Sequence, residues 1–302
     1  MRLRHGSRVL DRGDGTIQVG LRSPVVFSGL SAAQRRFVER LETSQWVTAR
    51  SSAPFEDIVA RLEDAGLIED PPAERRIVAI NDAGPLGVNV GVALARAGWG
   101  IRFEDDARAS ASPPHTYAPG TLAATRQAAA ADSVGRLVPG ADIRVGVARA
   151  DAWVLVSHGA PAIDAALALM ASDTPHIFVV TDERGATVGP FAMPGQGACG
   201  LCDGLARAAE DPAWPRLSLQ LRAPSVAPPT AKADVAASVA GLVCGALGAW
   251  RAGDSRAWLD CTWSLTDDAP PVCRNVAPDA ECGCGAAAPV GDELAARRAK
   301  FP

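Results

Sequence analysis

The chain has 302 residues, 48% hydrophobic and 21% charged, so it can bury one large domain core plus a smaller one, or two of similar size, and is too apolar to stay disordered. A formal net charge of −4 removes the general electrostatic drive toward nucleic acid or an anionic membrane surface. No apolar run follows the basic N-terminal residues, so neither a signal nor a transit peptide is expected, and a cytoplasmic setting with reduced thiols follows.

Residues 6 to 28 alternate apolar and polar positions around Gly13-Asp14-Gly15, then reach Val25-Val26-Phe27, which predicts a hairpin and a third strand. Ser31 offers an N-cap oxygen to a helix over 32–41 that places Phe37 and Leu41 on one face. A second helix is predicted over 54–65, with Phe55, Ile58, Val59 and Leu62 at helical spacing and Gly66 as its stop. Strands followed by short helices make residues 1–70 a winged-helix-like α+β module, and Pro71-Pro72 marks its boundary.

From Arg76 the pattern becomes an alternation. A buried strand over 76–80 leads to a helix over 85–97, a strand from Ile101 to Glu104 and a helix over 119–131. Strands from Ile143 to Val147 and Trp153 to Val156, a helix over 161–171 and a strand from His176 to Val180 follow. Such alternation predicts an α/β, Rossmann-like body over 76–302 with a mostly parallel sheet. After Pro190 come a cysteine-bearing segment, a long helix over 231–252 and strand-like pieces from Leu259 to Leu265. Lys232 and Asp234 interrupt the long apolar stretch, which reads as a buried helix, and no membrane partner is expected.

Val78-Ala79-Ile80-Asn81-Asp82-Ala83-Gly84-Pro85-Leu86-Gly87 joins a strand to a helix, where Gly84 and Gly87 would let backbone N–H groups approach a phosphate. Asp82, however, stands where a dinucleotide turn has its first glycine, and a carboxylate there repels phosphate. Glu104, Asp105 and Asp106 end the second strand, Asp106 being the candidate for a ribose contact; a solvated acidic strand end is the competing reading. The four histidines have no hydrolase or metal spacing, and His158 alone falls at the end of a parallel strand.

Cys199-Gly-Leu-Cys202 and Cys282-Gly-Cys284 each offer two thiolates on a predicted tight turn, and together they can complete a tetrahedral sulfur shell for one zinc ion. Four protein ligands leave no place for water or substrate, so such a metal is structural. A redox pair lacks thioredoxin-like surroundings here, and disulfides are disfavoured in a reducing compartment. Cys244, Cys261 and Cys273 remain outside the set.

The glycine turn, the acidic strand end, Gly197-Ala-Cys-Gly-Leu-Cys-Asp203 and the terminal Cys-Gly-Cys resemble the ThiF-like proteins of the ubiquitin-activating superfamily, over Arg76 to Gly285. With Asp211-Pro-Ala-Trp-Pro-Arg-Leu217 and Gln220-Leu221, the chain looks most like the ocin-ThiF-like, leader-peptide-binding branch associated with thiazole/oxazole-modified peptides. That resemblance implies a winged-helix peptide-recognition element on a ThiF-like body, a peptide added along a strand and packed against a helix, and a homodimer.

Adenylating relatives are implied to hold Mg–ATP with an aspartate after the strand that here reads Val154-Leu155-Val156, yet Ser157-His158-Gly159-Ala160 follows. They also grip phosphate with a basic residue, for which Arg126 is the nearest candidate. The expectation is therefore a non-catalytic scaffold that binds a peptide or protein segment through residues 1–70 and presents it to a separate modifying enzyme, with ATP in doubt. An ATP-dependent adenylyltransferase acting on a C-terminal carboxylate is the first alternative. A DNA-binding regulator using Arg35, Arg36, Arg40, Arg50 and Arg61 is the second, weakened by the interleaved acids Glu39, Glu42, Glu56, Asp57 and Glu63.

Overall fold

The computed structural model describes residues 1–43, 46–70, 75–113, 115–146, 149–222 and 231–284. The chain forms two compact units, Met1–Glu74 and Arg75–Pro302. The expected Pro71-Pro72 boundary and the predicted strand end at Val147 lie outside the described residues.

In the first unit, β1 (Arg2–Leu3) pairs with β5 (Ile68–Glu69), while β2 (Val9–Asp11), β3 (Ile17–Val19) and β4 (Val25–Phe27) form an antiparallel sheet. Alternation sends Ile17, Val19, Val25 and Phe27 inward and leaves Val26 outside. Helix α1 (Ala32–Leu41) starts in a capping box between Ser31 and Gln34, and it buries Phe37, Val38 and Leu41 against the sheet's inner face. The helix predicted over 54–65 is present as a short 3-10 turn (Ala53–Phe55) and α3 (Glu56–Asp64), preceded by a one-turn helix, α2 (Ala49–Ser52), that the periodicity does not predict. Pro54 lacks the N–H that would continue the ladder, and Phe55, at φ −131° and ψ 28°, leaves the helical region to stack on Phe37 at 4.3 Å. Arg35 pairs with Asp11, and Arg61 donates to the Val26 carbonyl, so two of the arginines considered for DNA are held within the unit.

The second unit is built on seven strands: β6 (Ile77–Ile80), β7 (Gly100–Phe103), β8 (Ala152–His158), β9 (His176–Thr181), β10 (Gly185–Ala192), β11 (Cys261–Thr266) and β12 (Val272–Asn275). Their order is β12-β11-β10-β9-β8-β6-β7; β7, β6, β8 and β9 are parallel, and antiparallel pairs add the remaining three. Because β7 and β8 flank β6 on opposite sides, the strand order reverses between β6 and β8, which leaves a crevice at their carboxyl ends.

One sheet face carries α4 (Pro85–Arg96), α5 (Arg126–Leu137) and α9 (Ala233–Arg251) around Val78, Ile80, Val154, Ile177 and Val188. The other carries α6 (Ile163–Ala171) and α7 (Gly200–Glu210), followed by α8 (Trp214–Leu221), around Leu155 and Phe178. Helix α9 is long and apolar enough to cross a membrane, but its Val235, Val239, Val243 and Leu247 are buried against the sheet.

Several elements differ from expectation. Helix α5 begins at Arg126, not near 119, because Pro119 and Gly120 hold the preceding loop and the Ala-rich periodicity continues to Leu137. The strand expected from Ile143 is reduced to one parallel bridge with Ile101. Strand β10, Gly-Ala-Thr-Val-Gly-Pro-Phe-Ala, has turn-like composition but pairs on both sides, with a register shift between Val188 and Phe191 where Gly189-Pro190 interrupts the ladder.

Candidate functional site

Two sites emerge at opposite ends of this architecture. In the first, Cys199 is the N-cap of α7 and Cys202 lies in its first turn, so a helix N-terminus, not the isolated tight turn expected, presents this pair. Sγ separations are 3.8 Å for Cys199–Cys202, 3.6 Å for Cys199–Cys282 and 3.7 Å for Cys202–Cys284, and all four sulfurs lie within 4.8 Å of one another. A regular tetrahedron with metal–sulfur bonds of about 2.3 Å has edges of about 3.8 Å, so the residues fit a four-coordinate ion such as zinc. All seven cysteines are free thiols, and these separations are far beyond a bonded S–S distance of about 2.05 Å.

Burial shapes the ionisation of these sulfurs, and a cation would be needed to hold all four as thiolates. Burial pushes the Cys199 thiol up to about 11 and moves Cys282 in the same direction. Burial opposes ionisation of Cys202 as well, but the Asp279 and Cys199 backbone contacts and neighbouring thiols bring it below the ordinary value. Asp203, buried one residue beyond Cys202, pairs with Arg207 at 2.8 Å and with Arg274 of β12, which ties the edge strand to α7.

The second site is the crevice after β6. Gly84 is the N-cap of α4, and Gly87 lies in its first turn, as the glycine spacing implied. Their N–H groups do not face open space: the Asp82 carboxylate accepts from Gly84 at 2.9 Å and from Gly87 at 2.8 Å. A Cβ at Gly87 would lie 1.9 Å from the Asp82 carbonyl oxygen, which is why this turn demands glycine. Arg126 of α5 then bridges Asp82 at 3.0 Å and Asp105 at 3.3 Å, while Asp105 accepts the Ala83 N–H at 3.0 Å. Asp106 lines the crevice but is exposed; its neighbour Asp105 makes the inward contacts.

The resulting cavity, about 440 Å³, is lined by Asp82, Glu104, Asp105 and Asp106 against Arg126 and His158. Its lining is acid-rich. His158 Nδ1 meets Thr181 Oγ1 at 3.2 Å, and the Ser157 hydroxyl oxygen is buried without a hydrogen-bond partner among the described residues. A larger cavity of about 820 Å³ lies beside β7, α5 and the start of β8, where Arg102 and Arg144 are paired with Glu104 and Asp142.

A Rossmann-type crevice, an antiparallel sheet extension and a four-cysteine cluster at the start of a late helix make up a mixed α/β fold consistent with the ThiF-like one. Solved structures share it: Escherichia coli MccB is 13% identical at a TM-score of 0.58, with 94% of this chain and 96% of that chain covered. PaaA is 14% identical at a TM-score of 0.56, over 91% of this chain and 100% of that chain. The heterocyclase TruD is 11% identical at a TM-score of 0.52, over 94% of this chain but 42% of TruD. MccB, described as a microcin C7 biosynthetic enzyme, has been solved with N-formylated MccA, and also with AMPCPP and MccA. At such identities the likeness is one of fold. No protein-family model matches the sequence, and no curated protein matches it.

Proposed function

We propose that this chain is a peptide-capturing scaffold with a zinc-stabilised, non-adenylating ThiF-like body, which presents its peptide to a separate modifying enzyme. The observation that carries the reading is the Asp82 carboxylate seated on the first-turn N–H groups of α4. An anion already occupies the place where a helix N-terminus would receive a phosphate, and Arg126, the candidate phosphate grip, is committed to Asp82 and Asp105. Transition-state stabilisation in adenylyl transfer rests on positive charge and Mg2+, and this acid-rich lining supplies little of the former.

The second reading, an adenylyltransferase, is favoured by the crevice's location at the strand-order reversal and by the AMPCPP solved with MccB. Calorimetric titration of the metal-loaded chain with ATP–Mg2+, followed by pyrophosphate exchange, separates the two. The scaffold reading expects no binding at millimolar nucleotide; micromolar binding with exchange would replace it with the enzyme.

Capture is assigned to residues 1–70 as a winged-helix-like module. Val26 stands opposite Gln18 with its carbonyl turned away from β3 toward Arg61, so its N–H is turned outward too and β4 offers an edge for strand addition beside α3. Val26→Pro removes that N–H without touching the β3 pairing. Peptides selected from a display library on the full chain are expected to lose on the order of tenfold affinity or more, with the thermal transition nearly unchanged. Undiminished binding would place the groove elsewhere. Effective concentration at a partner enzyme, not bond-making, would then be the protein's contribution.

A further inference from the structure

Asp260 sits immediately before β11 and is one of the few non-glycine residues in the left-handed region, at φ 59°. Aspartate and asparagine tolerate that conformation better than other side-chain-bearing residues, but it is held only where surrounding contacts fix it. Two contacts do so here, and they run in different directions. The Asp260 carboxylate accepts the Ala198 N–H at 2.6 Å, immediately ahead of Cys199. Its main-chain carbonyl accepts the Val276 N–H at 2.8 Å.

Val276 is buried with Cys199, Cys202 and Cys282, and it opens the segment that carries the second cysteine pair. That segment continues to Asp279, whose N–H points at Cys202 Sγ at 3.5 Å. The approach of Asp260 to the first pair is also built into the sequence. A Cβ at Gly197, φ +67°, would lie 2.9 Å from Asp260 Oδ1 and 3.1 Å from Leu259 Cβ.

We infer that Asp260 is a positioning residue for the metal site, bracing the Cys199 arm with its side chain and the Cys282–Cys284 arm with its backbone. The inference rests on the reading of the four cysteines as a metal site. Its physical basis is pre-organisation: thiols from distant parts of the chain converge only if both arms are held, and a charge-assisted bond to a backbone N–H holds the first of them.

The test uses the full, zinc-loaded chain and a chromogenic chelator that reports zinc release. Asp260→Asn keeps the left-handed turn and an oxygen acceptor but loses the charge, and release is expected to quicken about threefold. Asp260→Gly keeps the turn and the Val276 contact but loses the carboxylate, and release is expected to quicken on the order of tenfold. Cobalt-loaded Asp260→Gly should show shifted d–d bands, a signature that general loosening of the sheet would leave in place. Wild-type rates in both variants overturn the proposal, and Asp260→Asn decides it alone if the glycine variant does not fold. A wild-type chain that binds neither zinc nor cobalt defeats the metal reading itself, and this proposal with it.

Discussion

On the metal-site reading, removing the ion, or replacing Cys282 with serine, is expected to lower the thermal stability of the second unit sharply. Cys282 is buried and its Sγ is 3.6 Å from that of Cys199, so serine removes a ligand from the interior of the cluster. Structural zinc contributes roughly 10–16 kcal/mol in small domains that fold only around it. This unit has a separate hydrophobic core around α4 and α9, so a smaller share is at stake. If a third of that energy acts here, about 4 kcal/mol is lost, and a unit of this size then melts roughly 8–16 °C lower. Scanning calorimetry with metal analysis on the same samples measures it. Cys273, exposed on β12 and outside the cluster, supplies the control: Cys273→Ser should leave both metal content and transition in place. Equal transitions for metal-loaded and metal-free protein would show that the metal contributes nothing to the stability of the fold.

The second large effect concerns Arg126. Its guanidinium holds the Asp82 and Asp105 carboxylates together in a corner where the three side chains are only 21%, 20% and 11% exposed. Arg126→Ala leaves two like charges facing each other with little water to separate them. Breaking a fully buried ion pair costs about 3–5 kcal/mol, and partial exposure reduces this to about 2–3 kcal/mol. Urea denaturation should show the loss as a lower midpoint at unchanged slope. Adding Asp82→Asn should recover part of it, since one charge is gone and the amide oxygen keeps one of the two N–H caps that the carboxylate makes to Gly84 and Gly87. A single variant as stable as wild type would mean that water screens the corner fully, and the closed-corner argument would lose its energetic basis.

How far the sequence revealed these sites depends on the range of the interactions. The convergence of the four cysteines was legible because their types and local spacings are those of a sulfur cluster, and the strand–turn–helix from Val78 to Gly87 because its signals are contiguous. The same holds for α1, whose capping box lies within four residues. Asp82 was legible as an obstacle but not as a cap, since its bonds to Gly84 and Gly87 depend on the turn's three-dimensional path. Choosing between Asp105 and Asp106 needed the direction of the chain after β7, which no periodicity encodes. Strand β10 was hidden by its glycines and proline, because its strand character comes from pairing with β9 and β11 and not from its own residues. Helix α7 was hidden behind its cysteines, whose motif drew the reading toward a turn when the second cysteine was already inside the helix.

The position of the cysteine pairs has a topological consequence. Cys199 and Cys282 are 83 residues apart, and the chain between them supplies α7 and α8 on one side of the sheet, α9 on the other, then β11 and β12 along its edge. A metal joining the two ends would act as the buckle of a belt drawn around that end of the sheet. Neither helical layer could then peel away alone, because displacing either pulls on the same fastening. Fastened, this end of the molecule should open as a single block; unbuckled, its layers should fray one at a time.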